Sequence, residues 1–132
     1  MGASEYDLDA IPNHIIMPYE QYNYLATTKV TELAEKTILT FLLENNVAKQ
    51  NGSDLFIGAT SWCKGAAADG SSDRMVVYCN KERYLAMDEL APLTRAMTTP
   101  NTQQFCYDTA YAGNVSEVEV FYDQTILYVD KI

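Results

Sequence analysis

The sequence predicts an α+β fold, with a central β-sheet flanked by helices and a C-terminal antiparallel hairpin. Three observations indicate this class. One segment repeats its apolar residues with the period of a helix, short β-branched runs lie on either side of it, and the last third of the chain alternates apolar and polar residues. The resulting order of strand, helices, strands and hairpin is an α+β arrangement.

The first half of the chain is predicted to contain one strand and two helices. His14–Met17 is a short apolar run between Pro12 and Pro18, which favours a buried strand. Proline can occupy the first position of a helix, and Tyr19–Thr27 fits such a helix. Residues 30–42 carry apolar side chains at helical spacing, so a longer amphipathic helix is predicted there.

The middle of the chain is predicted to form two strands joined by a loop. Residues 54–60 and 74–79 are short runs rich in apolar and β-branched residues. Between them, residues 61–73 are small and rich in glycine and serine, which predicts a loop with Trp62 as its anchor. Two prolines exclude one continuous helix across residues 84–101.

The C-terminal third is predicted to be β-structure. Apolar and polar residues alternate over residues 105–111 and again over residues 118–122. Gly113 and Asn114 lie between these runs and are typical of a hairpin turn. Residues 125–129 are predicted to form the last strand.

Size and charge limit the possible functions. The 132 residues are enough for one domain, predicted over residues 12–132, with residues 1–11 as a polar lead-in or a remnant of expression. The formal net charge of -9 and the scattered lysines and arginines argue against specific nucleic-acid binding. No apolar run approaches the length of a membrane span, and the first residues do not resemble a signal peptide.

The reactive residue types do not form a recognisable catalytic or metal-binding pattern. The lone His14 lies inside an apolar strand, and Cys63, Cys79 and Cys106 lack the spacing of a zinc site. The glycines do not form a phosphate-binding loop. The sequence therefore predicts no catalytic residue, no metal and no cofactor, and the protein is not expected to be an enzyme.

Several segments in a fixed order carry a resemblance to a known family. They read PNHIIMP at residues 12–18, DRMVVY at 73–78, KERYL at 81–85, AGNV at 112–115 and ILYVD at 126–130, followed by Ile132. From about residue 11 to the end, the chain resembles the C-terminal part of tailed-phage major capsid proteins of the Hong Kong 97 type. Lys131 stands where one large group of that family usually has glycine, and Ala112-Gly113 stands where a glycine pair is frequent.

The resemblance implies both a fold and a function. The chain is expected to have the fold of the axial domain of such subunits, together with returning strands of the peripheral domain. It is expected to be a structural virion protein, either a major capsid subunit or its axial-domain fragment, that self-assembles into an icosahedral head around DNA. Its partners would be copies of itself in hexamers and pentamers, with portal, scaffold and decoration proteins as further candidates. The expected locations are the virion and, during assembly, the host cytoplasm.

The resemblance also implies where subunits would meet. Residues 45–53 and 61–73 correspond to candidate axial loops. The candidate contact residues are Trp62, Lys64, Asp69 and Asp73. An alternative function is an acidic phage-encoded inhibitor that mimics DNA and binds a host defence or repair protein. The wide spread of the acidic residues along the chain disfavours that alternative, because a mimic needs its carboxylates on one face.

Overall fold

The computed structural model describes residues 8–132, which group into two compact units. Unit 1 consists of the described residues up to Tyr84 together with Phe121–Ile132, and unit 2 is Leu85–Val120. Most of the predicted lead-in lies outside the described residues, and its last part forms a 3-10 turn over Leu8–Ala10. The single domain predicted over residues 12–132 stays a prediction. The structure divides the described residues into the two units given above.

Unit 1 is built on a four-stranded sheet in the order β2-β1-β3-β8. The strands are β1 (His14–Met17), β2 (Phe56–Ala59), β3 (Arg74–Tyr78) and β8 (Ile126–Asp130). β1 runs parallel to β2 and antiparallel to β3, and β3 runs antiparallel to β8. All four strands were expected from the sequence, because β-branched and aromatic residues suit a pleated, half-buried surface.

The helices of unit 1 connect β1 to β2. Helix α1 (Tyr19–Thr27) begins after Pro18, as the sequence predicts. The long helix expected over residues 30–42 is wrong in its first half, because only α2 (Ile38–Glu44) is helical. Residues before it form turns closed by an isolated bridge between Lys29 and Thr37.

The cause of that difference is local hydrogen bonding at the start of α2. The Thr37 side chain accepts a hydrogen bond from the backbone N–H of Thr40, so Thr37 acts as an N-cap and the helix begins after it. The apolar residues before Thr37 are therefore not part of a helix, and Leu33 is 97% exposed. A second cap follows at Asn46, whose side chain accepts from the N–H of Lys49 and begins the short helix α3 (Val47–Gln50).

The strand register gives the sheet of unit 1 two different faces. We call the first the apolar face, which carries Ile15, Ile57 and Val77 in one row and the buried Met17 in the next. Helix α1 lies on this side, where a groove of about 420 Å³ is lined by residues of α1, by Met17 and by Met75. The buried Met17 and Ile57 lie on the apolar face, and a separate buried cluster is formed by Ala10, Cys79 and Tyr84.

The second face of that sheet, the aromatic face, carries rings and one ion pair. His14 lies between Phe56 and Tyr78, with ring centroids 5.1 and 5.3 Å away. The Arg74 guanidinium lies over the Tyr128 ring, 4.6 Å from its centroid. Phe56 and Tyr128 are 53% and 58% exposed, so this face is open at both of its sides.

Unit 2 is a long two-stranded ribbon, and here the sequence predictions need correction. Strand β5 (Glu89–Asn101) pairs with β6 (Cys106–Val115), and a short pair joins β4 (Leu85–Ala86) to β7 (Glu119–Val120). The predicted turn at Gly113 and Asn114 is wrong, since both residues lie inside β6. The chain instead reverses between β5 and β6, where Phe105 has a φ of 54°.

The glycine that suggested a turn has a different role. A Cβ at Gly113 would lie 3.2 Å from the Cα of Leu93 on the neighbouring strand, so Gly113 permits a close approach of two backbones. The prolines at 92 and 100 lie within β5, which is compatible with a strand at the edge of a sheet. Among residues 8–132, no helix is both long enough and apolar enough to cross a membrane.

Candidate subunit-contact loop

The 61–73 loop of unit 1 contains all four candidate contact residues. It opens with a 3-10 turn over Ser61–Cys63, begun by the Thr60 hydroxyl, which accepts a hydrogen bond from the backbone N–H of Trp62. Gly65 and Gly70 have φ angles of 64° and 72°, which other residues adopt only with strain. The small residues of the loop therefore permit tight turns that a bulkier sequence would oppose.

Asp73 connects the two ends of the loop. Its carboxylate accepts a hydrogen bond from the backbone N–H of Gly65 at 3.0 Å and another from the Gln21 side-chain amide at 3.1 Å. These bonds, the Gly65 bond foremost, lower the pKa of Asp73 below its usual value, because they stabilise the charged form. The Gln21 amide also donates to the backbone oxygen of Ile132 at 3.3 Å, which joins the loop, α1 and the C-terminal residue.

Asp69 organises the tip of the loop. One carboxylate oxygen accepts from the backbone N–H groups of Ser71 and Ser72, at 3.0 and 2.8 Å, and the other accepts from the Ser72 hydroxyl at 2.6 Å. These bonds, the one from the Ser72 hydroxyl foremost, lower the pKa of Asp69 to about 2. Asp69 thus holds the turn from within, as aspartate commonly does through side-chain to backbone bonds.

A third carboxylate ties the loop to the sheet. Asp130 on β8 accepts two hydrogen bonds from the Arg74 guanidinium and one from the backbone N–H of Ala68, the last at 3.1 Å. The Arg74 bonds contribute most to lowering the pKa of Asp130 to about 2. Sequence reasoning missed both Asp130 and Gln21 as parts of this arrangement, although antiparallel pairing of the DRMVVY and ILYVD segments would have placed Arg74 opposite Asp130.

Lys64 makes a weaker contact. Its ammonium group lies 3.2 Å from a carboxylate oxygen of Glu20 on α1, and the two side chains are 68% and 74% exposed. Ion pairs this exposed contribute little to stability, because water and salt screen them. Lys64 therefore leaves most of its side chain at the surface.

Trp62 does not anchor the loop, so that prediction is wrong. Its side chain is 88% exposed, whereas the neighbouring Cys63 is 6% exposed. Successive residues of a tight turn point in different directions, and Cys63 takes the inward position. Burial raises the pKa of the Cys63 thiol, which keeps it protonated at neutral pH. Trp62 instead forms one wall of an open groove of about 500 Å³ on the aromatic face.

That groove is a concave surface next to the loop. Its other walls are mainly apolar groups of β1, β2 and β3, among them Ile16, Phe56, Ala59 and Val76, with Arg74 at one side. Of the four candidate residues, the structure uses Asp69 and Asp73 to hold the loop through hydrogen bonds, although the Asp69 side chain is itself exposed. It leaves Trp62 and Lys64 at the surface, where a second molecule can reach them.

His14 has a structural environment. Its Nδ1 lies 2.9 Å from the Asn13 side-chain oxygen, and its Nε2 lies 3.3 Å from the Asn80 amide nitrogen. Burial lowers the pKa of His14, so the neutral ring is favoured. Within the described part of the chain, no three His, Cys, Asp or Glu side chains come together as metal ligands would.

Comparisons with known proteins agree with this geometry. Residues 3–132 match the family model of the major capsid protein. The fold matches a chain from the capsid of Myoviridae phage XM1 with a TM-score of 0.67 and 20% sequence identity, over 91% of this chain and 37% of that chain. No curated protein matches the chain.

The matches to the family model and to the phage XM1 capsid chain confirm two predictions made from the sequence. The α+β class is confirmed by the strands and helices and by the shared capsid fold. The predicted resemblance to tailed-phage major capsid proteins is confirmed as well. The chain spans about a third of the length of the capsid protein it matches. From residue 3 to residue 132, this chain belongs to the major capsid protein family.

Proposed function

We propose that this chain supplies the axial part of a phage shell subunit, which self-assembles with its own copies into the head. The observation that carries the proposal is a loop braced by three carboxylates that nevertheless leaves the chain's one tryptophan in solvent. Family membership and the capsid fold give the class of protein. The loop gives a surface on which neighbouring copies can meet.

The bracing matters because association costs conformational entropy. A loop already fixed by Asp69, Asp73 and Asp130 loses little further freedom when another subunit docks against it. Tryptophan is among the residue types enriched in the positions that dominate interface energy. Trp62 beside an apolar groove is therefore the expected centre of the contact, with Lys64 at its margin.

The bonding of the loop carboxylates weighs against the DNA-mimicking inhibitor. A mimic must present its charges to a partner, but Asp69, Asp73 and Asp130 each accept hydrogen bonds from this chain. These three carboxylates are thus engaged in bonds that hold the loop. As a shell subunit, the protein would reside in the virion, and in the host cytoplasm during assembly, with portal, scaffold and decoration proteins as its further partners.

The test is assembly of the subunit that contains this chain. Expression of the open reading frame encoding it should give shells in negative-stain images. Trp62→Ala should sharply reduce shell yield, whereas Leu33→Ala, which removes another highly exposed apolar side chain in unit 1, should not. Equal shell yields from the two variants would show that Trp62 is not part of the subunit contact. Absence of shells from the wild-type reading frame would contradict the shell function itself.

Trp62 is the one tryptophan of the 132 residues, so the fluorescence difference between wild type and Trp62→Phe gives a direct measurement of the contact. Iodide should quench Trp62 fluorescence strongly in unassembled protein, because the indole is exposed. In assembled shells the quenching should fall, since a neighbouring subunit would cover the ring. Unchanged quenching after assembly would show that the loop lies outside the contact.

A further inference from the structure

Asn51 is the one asparagine of the sequence that is followed by glycine. Asparagine is chemically labile in proteins, because the backbone nitrogen of the next residue can attack its side-chain amide carbon. A glycine in the next position has no side chain to hinder that attack. Asn51 and Gly52 are both exposed, so water can reach the pair.

The backbone of this turn requires the glycine. Gly52 has a φ of 80°, in the left-handed region that a residue with a Cβ adopts only with strain. A Cβ at this position would meet no other atom within 4 Å, so the backbone angle, not packing, selects the glycine. The turn that ends α3 therefore contains a labile pair of residues because of its own geometry.

The folded turn holds the two reacting atoms apart. The Gly52 N–H donates a hydrogen bond to the Lys49 oxygen at 3.1 Å. Asn51 has a ψ of 11°, which directs the Gly52 nitrogen away from the Asn51 Cβ. A five-membered ring through Cβ and Cγ needs that nitrogen on the same side as the side chain, so the turn must open before the ring can close.

Helix α3 is a short element whose local opening depends on one side chain. It has four residues, and a single helical turn is marginal without support. Asn46 gives that support, since its side-chain oxygen accepts a hydrogen bond from the Lys49 N–H at 2.8 Å. Its amide also donates to the backbone oxygens of Leu42 and Leu43, at 3.0 Å each. Loss of Asn46 should therefore make the turn open more frequently.

We propose that Asn51 is a deamidation site that reacts when α3 opens, and that Asn46 slows the reaction by holding α3 closed. The Gly52 nitrogen forms a bond to the Asn51 Cγ, the Cγ–Nδ2 bond breaks, and ammonia leaves with the proton from Gly52. Water then opens the succinimide to aspartate or isoaspartate. Each event adds one negative charge to a chain whose net charge is -9. The proposal does not depend on the shell function.

Asp69 and Gly70 provide an internal comparison. Aspartate before glycine can close the same ring, but an ionised carboxylate is a poor target for attack. The two Asp69 oxygens accept hydrogen bonds from the backbone N–H groups of Ser71 and Ser72 and from the Ser72 hydroxyl. These bonds favour the charged form. Asp69 should therefore stay unmodified while Asn51 reacts.

Peptide mapping after prolonged incubation at neutral pH measures the reaction, because it separates asparagine, aspartate and isoaspartate at position 51. The 132-residue chain should accumulate both products at Asn51 and no isoaspartate at Asp69. Asn46→Ala should speed the reaction roughly five-fold, since loss of an N-cap favours the open turn by about that factor. Asn46→Ser keeps a capping oxygen and should react at nearly the wild-type rate. Asn45→Ala should do the same, because its side chain donates to Phe41 in α2.

Three results would overturn the proposal. The first is an intact Asn51 after an isolated peptide of residues 45–55 has been fully converted. The second is an equal rate in Asn46→Ala and Asn45→Ala with unchanged circular dichroism, because Asn46 would then not control the opening. The third is isoaspartate at Asp69 as fast as at Asn51, because hydrogen bonds of the folded chain would then not control ring closure.

Discussion

The Arg74 guanidinium and the Asp130 carboxylate face each other across β3 and β8 and form two hydrogen bonds. Arg74 Nε lies 2.6 Å from Asp130 Oδ1, and Arg74 Nη2 lies 2.9 Å from Oδ2. Only 23% and 28% of the two side chains are exposed. Because Asp130 also holds the backbone N–H of Ala68, this pair couples the sheet edge to the loop that carries Trp62.

Replacing that carboxylate should loosen the loop as well as the sheet edge. Asp130→Asn removes the charge opposite Arg74, and we expect the Tm to fall by several degrees, since two-point arginine–carboxylate pairs are stronger than exposed ion pairs. Limited proteolysis should cut within residues 61–73 sooner than in wild type. Asp54→Asn, which changes an exposed carboxylate outside the loop, should leave both the Tm and the rate of proteolysis unchanged. If the two variants behaved alike, Asp130 would not be one of the residues that hold the loop.

Lys131 is strained, and its replacement by glycine should stabilise the protein. Its φ of 64° lies in the left-handed region, which costs a residue with a Cβ about 1–2 kcal/mol. The resemblance to capsid proteins expected glycine at this position, and the backbone angle gives the physical reason. We predict that Lys131→Gly raises the free energy of unfolding by about 1 kcal/mol. This gain is smaller than the strain relieved, because glycine has more conformational entropy in the unfolded chain.

A matched variant separates strain from charge at this position. Lys131→Ala removes the same ammonium group but keeps a Cβ, so it should give no such gain. Urea unfolding measures both variants under the same conditions. A gain of equal size in both would mean that charge, not backbone strain, is the cause.

The loop should lose stability in acid over a defined range. Asp69 has a folded-state pKa of about 2, below its unfolded value of about 3.9. A lowered pKa contributes stability that is fully present above the unfolded value and is lost as pH falls toward the folded value. The loop should therefore weaken between about pH 4 and pH 2.

Asp69→Asn provides the comparison for this pH dependence. The asparagine cannot ionise, so wild type should be more stable than the variant at neutral pH, and the difference should shrink as pH approaches 2. Thermal unfolding at a series of pH values measures the difference directly. A constant difference across the whole range would show that the charge of Asp69 does not support the turn.

The elements predicted correctly have signals that lie within a few neighbouring residues. The strand His14–Met17 and the helix Tyr19–Thr27 follow from a short apolar run and a proline at the start of a helix. Strand β5 had no such signal, because its side chains are exposed and two prolines interrupt its pattern. Its position depends on pairing with β6, which the sequence does not display locally.

The position of the candidate loop could be predicted from the sequence, but the hydrogen bonds that hold it could not. Its glycine and serine content indicated a loop, yet two of the residues that brace it, Gln21 and Asp130, lie far away in sequence. Gln21 forms a hydrogen bond with Asp73, which is 52 positions away in the sequence, and Asp130 forms one with Ala68, which is 62 positions away. Such partners are brought together by the register of the sheet, so only the folded chain shows that Trp62 is left in solvent while Cys63 is buried.

The close approach of β5 and β6 at Gly113 gives the last prediction. A Cβ there would lie 3.2 Å from the Cα and 3.4 Å from the backbone nitrogen of Leu93, and a backbone cannot move aside as a flexible side chain can. Gly113→Ala should therefore force the strands apart and destabilise the ribbon by about 1–3 kcal/mol, as overpacking does elsewhere. Hydrogen exchange of the β6 amides should accelerate in this variant. The neighbouring change Asn114→Ala should leave exchange near wild-type rates, and slower exchange in Gly113→Ala would mean that the glycine is not required by packing.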